Sequence, residues 1–242
     1  MTRFTSRDKR STITNSILDI LLGDQDSCVG CSSKELYEYK LCHSCYEELE
    51  LVDKMNILEA RHDKEEEFVV YTAAFYNNFL KEMYAPYKFE QKSFYRDSFG
   101  EMLVAYVERE IELASCGWIT YVPMSPEKEV LRGYNPLGEI ARYMAHQLGL
   151  PLVHGLQKAK KNKEQNKLNR IQRESNVRGA FALATKKDQL RMENPAGLQS
   201  SIQFVSTARL AQSRGILIDD FLTSGNTMRE AISVFRSAGL DV

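Results

Sequence analysis

Ile216-Leu217-Ile218-Asp219-Asp220-Phe221-Leu222-Thr223-Ser224-Gly225-Asn226-Thr227 is the stretch that decides the fold. A short apolar, β-branched run after Gly215 reads as a buried strand and ends in two adjacent carboxylates. A loop of hydroxyls and glycine follows. From Met228 to Ala238 the apolar residues Met228, Ala231, Ile232, Val234 and Phe235 recur at helical spacing, and Gly239 supplies the stop. Ligands of an α/β sheet collect where its strands end at their carboxyl edge. There, backbone N–H groups, hydroxyls and a helix N-terminus suit a phosphate dianion. The paired carboxylates suit vicinal hydroxyls or a hydrated Mg²⁺. A sugar phosphate is the ligand that asks for both. The competing reading is a buried strand, a polar turn and an ordinary capped helix.

Four cysteines make the second signal. Cys28 and Cys31 form one CxxC; Cys42 and Cys45 form another after ten intervening residues. Two such turns place four thiolates tetrahedrally around Zn²⁺, a closed structural site with no open position for catalysis. No stretch in residues 1–27 reads as a secretion signal, so a cytoplasmic, reducing compartment is expected and metal is favoured over disulfides. A vestigial or disulfide-forming set is the alternative. His43 lies between the second pair as a weaker candidate ligand. Cys116 stands alone before an expected strand and reads as a buried apolar residue.

The 242 residues, 43% of them hydrophobic, fit a soluble protein with one main domain and a small appendage. No apolar run is long enough to span a bilayer, and a net charge of −1 exerts no global pull on nucleic acid. The charge is uneven, however. Lys158 to Arg178 holds eight Lys or Arg against two Glu, whereas Glu59 to Glu67 holds five acids. The chain divides into a polar leader (1–23), a cysteine module (24–50), a charged connector (51–67) and the main domain (68–242). In that domain strands are expected at 68–75, 118–122, 181–184 and 216–218. Helices are expected at 77–87, 94–113 and 136–148. Strands alternating with helices predict a mostly parallel α/β sheet. Residues 185–214 read as an insertion with polar turns.

Further segments narrow the reading. Tyr121-Val122-Pro123-Met124-Ser125-Pro126 leads to Leu131-Arg132-Gly133-Tyr134-Asn135, a strand ending in a loop that offers backbone and guanidinium to an anion. Then come Gln165-Asn166-Lys167-Leu168 with Arg170 and Arg173, and Asn176-Val177-Arg178-Gly179-Ala180-Phe181; Tyr87-Lys88-Phe89 lies upstream. The opening stretch resembles the binding signature of type I phosphoribosyltransferases. In conjunction with the CxxC pairs, these segments resemble the ComF family, in its zinc-bearing ComFC branch, over roughly residues 26 to 242.

The resemblance implies the type I phosphoribosyltransferase fold with a zinc-ribbon-like N-terminal module. It implies phosphoribosyl pyrophosphate (PRPP) as ligand, with Asp219 and Asp220 on the ribose hydroxyls, directly or through Mg²⁺. Thr223, Ser224, Gly225, Asn226 and Thr227 would wrap the 5-phosphate, and Pro123, Ser125, Arg132, Gly133 and Asn135 would border the pyrophosphate. The basic segment 158–178, with Lys167, Arg170 and Arg173, would form a lid; a solvated surface loop is the alternative. ComF proteins support uptake of single-stranded DNA in naturally competent bacteria, and the implied partner is ComFA, a helicase-like ATPase.

The sequence also departs from the family pattern. Pro136 follows Asn135 where glutamine is common, Met124 replaces a smaller residue, and the chain stops at Leu240-Asp241-Val242, where one more apolar strand is expected. Two functions fit: a PRPP-binding module coupled to DNA uptake, or an active transferase moving the phosphoribosyl group to an acceptor. No acceptor-recognising hood and no general base stand out. Direct binding of single-stranded DNA through Lys158 to Arg178 lacks aromatic stacking partners, because no Phe, Tyr or Trp lies between residues 144 and 180.

Overall fold

The sheet is organised around one strand, β1 (Cys116–Tyr121), whose Trp118, Ile119 and Thr120 are wholly buried. The computed structural model describes residues 27–52, 69–89, 94–159, 179–187, 189–195 and 201–242. The leader 1–23, nearly all of the connector 51–67, and Lys167, Arg170 and Arg173 of the expected lid lie outside the described residues.

Among the described residues the first helix is α1 (His43–Glu47), inside the cysteine module. Then come α2 (Asn78–Phe89) and α3 (Tyr95–Glu110), and a 3₁₀ turn (Leu113–Ser115) leads into β1. Two helices follow, α4 (Pro126–Arg132) and α5 (Pro136–Leu148). Next are β2 (Leu152–His154), β3 (Leu156–Lys158), β4 (Phe181–Leu183), β5 (Gln189–Glu193) and β6 (Ile202–Ser206). The chain ends through α6 (Thr207–Leu210), β7 (Arg214–Ile218) and α7 (Asn226–Ser237).

The main sheet has the order β6-β5-β2-β1-β7. β1 pairs in parallel with both β2 and β7, so the core of the sheet is parallel as the strand–helix alternation implies. β5 and β6 add on antiparallel, which makes the sheet mixed. Residues 185–214 are therefore no polar insertion. They carry two sheet strands and a short helix. Their alternation was hard to read because β5 buries Leu190 and Met192 but also the charged Glu193. β4 forms where a strand is expected, but it pairs with β3 in a separate two-stranded sheet.

A second difference concerns residues 69–77, which form no sheet strand. Their backbone bonds reach the end of the cysteine module and the start of the connector: Val52 N–H donates to Ala73 O (3.0 Å) and Phe75 N–H to Glu50 O (2.8 Å). Aromatic β-propensity was spent on a docking contact between modules. Helix α5 spans the expected range, opened by Asn135 and Pro136 and closed by left-handed Gly149. It packs on β1 and β2, and α3 packs on α5. Across β1 and β7, Gly215 lies beneath the Trp118 indole, where a Cβ would meet ring carbon at 2.5 Å. After α7, Leu240 is buried and Gly215 N–H donates to Asp241 O, alongside β7.

Candidate functional site

β7 delivers Asp219 and Asp220 to the carboxyl edge of the parallel core, next to the ends of β1 and β2. Asp219 Oδ1 accepts from Asp220 N–H (2.9 Å), and Asp220 Oδ1 accepts from Phe221 N–H (3.0 Å). These bonds fix both carboxylates against their own backbone. Burial and the adjacent Asp220 charge push the Asp219 carboxyl up to about 7. Asp220 faces α2, where Lys88 Nζ donates to Oδ2 at 2.5 Å and Tyr84 O–H donates to the same oxygen at 3.2 Å. Tyr84 and Lys88 are four residues apart and share one helix face. Burial, reinforced by Asp220, raises the Tyr84 phenol well above its ordinary range. Phe221 packs edge-on against Tyr84 (4.8 Å) and Tyr76 (4.6 Å).

The loop after the acidic pair runs through exposed Thr223 and Ser224 to Gly225, which adopts φ 72° as the residue before α7. That left-handed turn suits glycine. Asn226 and Thr227 open the helix half-buried. The Asn226 Nδ2 is buried with no hydrogen-bond partner, while its Oδ1 accepts from Arg229. A buried, unpaired donor at a helix N-terminus is a feature that an anion would satisfy.

A cleft of about 450 Å³ opens beside the ends of β1 and β2. Pro123, Gly133 and Asn135 line it, as does Lys158. Lys158 also feels Asp219: burial lowers its pKa, Asp219 opposes that shift and Lys128 adds to it. Its ammonium lies over the Phe181 ring at 4.1 Å. Two residues expected at a ligand have structural duties as well. Ser125 Oγ accepts from Lys128 N–H (3.4 Å) and caps α4; buried Asn135 Oδ1 accepts from Gly138 N–H (3.0 Å) and caps α5. Arg132 sits half-buried in the last turn of α4, and Gly133 closes that helix at φ 77°.

Sequence reasoning missed the floor of this cleft. Tyr121, His154, Arg142 and Arg191 reach it from β1, β2, α5 and β5, around the buried Glu193. Tyr121 opens the segment Tyr121 to Pro126 but had no role assigned; no motif marks the other three, because the pairing of β2 with β5 is long-range. Tyr84 was missed too, and Lys88 stands within Tyr87-Lys88-Phe89 without an expected role at the acidic pair; their four-residue helical spacing links them.

In the cysteine module, the Sγ atoms of Cys28, Cys31, Cys42 and Cys45 all lie within 4.8 Å of one another. Their geometry can hold one metal ion. Burial works to raise Cys28, but N–H donors of Cys42, Cys31 and Gly30 outweigh it and hold the thiol down at about 7. Burial and the neighbouring thiols push Cys45 up. His43 is outside this group; its Nδ1 lies 3.7 Å from Glu47. Cys116 is buried in β1, its Sγ 3.8 Å from Glu112 O. Among the described residues no helix is long and apolar enough to cross a membrane. No protein-family model, no curated protein and no solved structure matches the chain.

Proposed function

We propose that the chain is a PRPP-binding protein of the ComF kind that supports entry of single-stranded DNA during natural competence, with a ComFA-type helicase-like ATPase as its partner. The observation that carries the ligand assignment is the conjunction at one sheet edge. Adjacent carboxylates follow β7, an N-terminal helix loop with an unpaired Asn226 donor comes next, and Lys158, which feels the Asp219 charge, lines an open cleft. A ribose needs the first, its 5-phosphate the second, and a pyrophosphate a cationic cleft. The competence role and the ATPase partner rest on the sequence resemblance alone.

Asp219 and Asp220 also fit Mg²⁺ arriving with the ligand, since their mutual repulsion is what a divalent cation relieves; it would neutralise charge on the pyrophosphate. The four thiols would hold a structural Zn²⁺, a donor set typical of closed sites.

A second reading, an active phosphoribosyltransferase, is favoured by the cations lining the cleft, Arg142, Arg191 and Lys158, which would receive a departing pyrophosphate. Calorimetric titration with PRPP and Mg²⁺ tests the site. Binding is expected in the native protein and absent from the folded D219N/D220N variant; equal affinity in both overturns the assignment. Pyrophosphate release, assayed with a panel of bases and with single-stranded DNA, decides between binding module and transferase.

A further inference from the structure

We infer that the floor of the cleft is an oxyanion-binding site whose occupancy is coupled to protonation of His154 through Tyr121. Tyr121 opens the segment Tyr121 to Pro126, whereas Arg142, His154, Arg191 and Glu193 belong to no motif. The site deepens the second reading, in which Arg142 and Arg191 receive pyrophosphate, and its anion affinity is testable apart from PRPP. Its organiser is Glu193, whose side chain is only 9% exposed. Glu193 Oε1 meets His154 Nε2 and an Arg191 amino group, each at 2.8 Å, and Oε2 accepts from Arg142 Nε at 3.1 Å. Strand pairing explains the gathering. His154 lies opposite Arg191 across β2 and β5, and Arg191 and Glu193, two residues apart, share that face. Arg142 reaches the same carboxylate from α5.

Both guanidiniums remain 47% exposed at the cleft, although each is tethered to a buried group. Arginine carries five donors, and these tethers leave most of them available. Paired, pre-oriented guanidiniums are a recognition device for carboxylate or phosphate oxygens.

Charge decides when the site works. Arg142 and Arg191 are balanced by Glu193 and by Glu139, which accepts from Arg142 at 2.5 Å. Lys158 and Glu129, which also line the cleft, offset one another, so with His154 neutral the floor offers donors but no net positive charge. The Glu193 carboxylate accepts from Nε2–H, so neutral His154 presents Nδ1 as an acceptor to Tyr121 O–H at 3.2 Å. Tyr121 then spends its proton on the imidazole. When Nδ1 takes a proton, the direction of that bond reverses: Nδ1–H donates to the phenol oxygen, and the Tyr121 O–H turns into the cleft. One proton adds a positive charge and creates a new donor. Burial and the two arginines favour the neutral ring while Glu193 opposes them; Glu129, on α4, acts on Tyr121. Without an oxyanion His154 therefore rests neutral and the Tyr121 O–H stays on the imidazole, whereas a bound oxyanion draws the proton in.

Sulfate is the probe for phosphate-type ligands and acetate for carboxylates, because neither changes charge between about pH 6 and about pH 8. Calorimetry of the native protein is expected to show sulfate, acetate or both binding roughly tenfold more tightly at the lower pH, with net uptake of about half a proton averaged over that window. The anion with the larger proton-linked gain identifies the ligand class. His154→Gln keeps a donor toward Glu193 and should abolish the pH dependence. Tyr121→Phe should weaken acid-pH binding while the His154 imidazole, followed by NMR, still titrates. Arg191→Gln should weaken binding at every pH. Binding of neither anion, binding independent of pH in the native protein, or unchanged affinity in Arg191→Gln overturns the inference. Ribose 5-phosphate reports on the acidic pair and its loop instead, so failure there with the sulfate or acetate result intact removes the PRPP assignment and leaves this site standing.

Discussion

Lys88 Nζ lies 2.5 Å from Asp220 Oδ2 and ties α2 to the loop after β7 across 132 residues of sequence. The lysine is 26% exposed and the aspartate 24%, so the pair is largely withdrawn from water. Tyr84 donates to the same oxygen. The segment preceding the α/β core thereby becomes one wall of the candidate ligand site.

Replacing Lys88 by methionine leaves the Asp220 carboxylate with Tyr84 alone on Oδ2. Removing one partner of a partly buried ion pair costs on the order of 1–3 kcal/mol. K88M is expected to lower the urea midpoint accordingly, and D220N to lower it as well, because a single amide oxygen cannot serve both Phe221 N–H and the Lys88 and Tyr84 donors. Equal midpoints for native protein and K88M would mean that the pair contributes nothing to stability.

Asp219 gives a pH signature. Its carboxyl is raised from 3.8 to about 7 by burial and by Asp220. The folded state therefore binds more protons than the unfolded state between these values, and stability falls as pH rises through that window. Below it both states are protonated and nothing is lost. D219N removes the cost and is expected to be more stable than the native protein at neutral pH, by an amount on the order of a few kcal/mol that vanishes near pH 4. Thermal melts of the two proteins across pH check this; parallel curves would refute it.

The parallel core and the acidic pair were legible because each is encoded locally. Ile216 to Ile218 is a continuous apolar run, Asn135-Pro136 announces a helix start, and CxxC spacing announces a metal turn. What escaped is encoded between distant segments. Glu193 is polar, sits in an edge hairpin and becomes buried only because Arg142, His154 and Arg191 converge on it. Residues 69–77 carry strand-forming aromatics, yet their backbone bonds go to the end of the cysteine module and the start of the connector. The side-chain oxygens of Ser125 and Asn135, read as ligand neighbours, are engaged as helix caps.

Asn135 separates those two roles. Its side-chain oxygen caps α5, and an alanine there is expected to destabilise the protein by about 1 kcal/mol. N135D and N135S restore an acceptor and should recover that loss in chemical denaturation. If both remain as unstable as N135A, the cap is not what the side chain supplies.

The four-thiol centre is mechanically linked to the site through α2. Gly30 lies against Cys45 Sγ and the Phe79 ring of α2, where a Cβ would come within 2.9 and 3.1 Å. At the start of the same helix, Asn77 Nδ2 donates to Glu48 O at 2.7 Å, and its Oδ1 caps the first turn through Leu80 N–H. A metal on the four thiols, as proposed, would crosslink the module and hold these contacts in register, and α2 carries Lys88 and Tyr84 to Asp220. A C28S variant, or the native protein after chelation, is expected to lose its zinc and to exchange the amides of α2 at least roughly tenfold faster, while β1 and β7 keep their protection. Hydrogen exchange with parallel metal analysis reads both quantities. Zinc gone with α2 exchange unchanged would mean that the module and the ligand site are energetically independent; exchange rising equally in β1 and β7 would mean that the metal holds the whole fold.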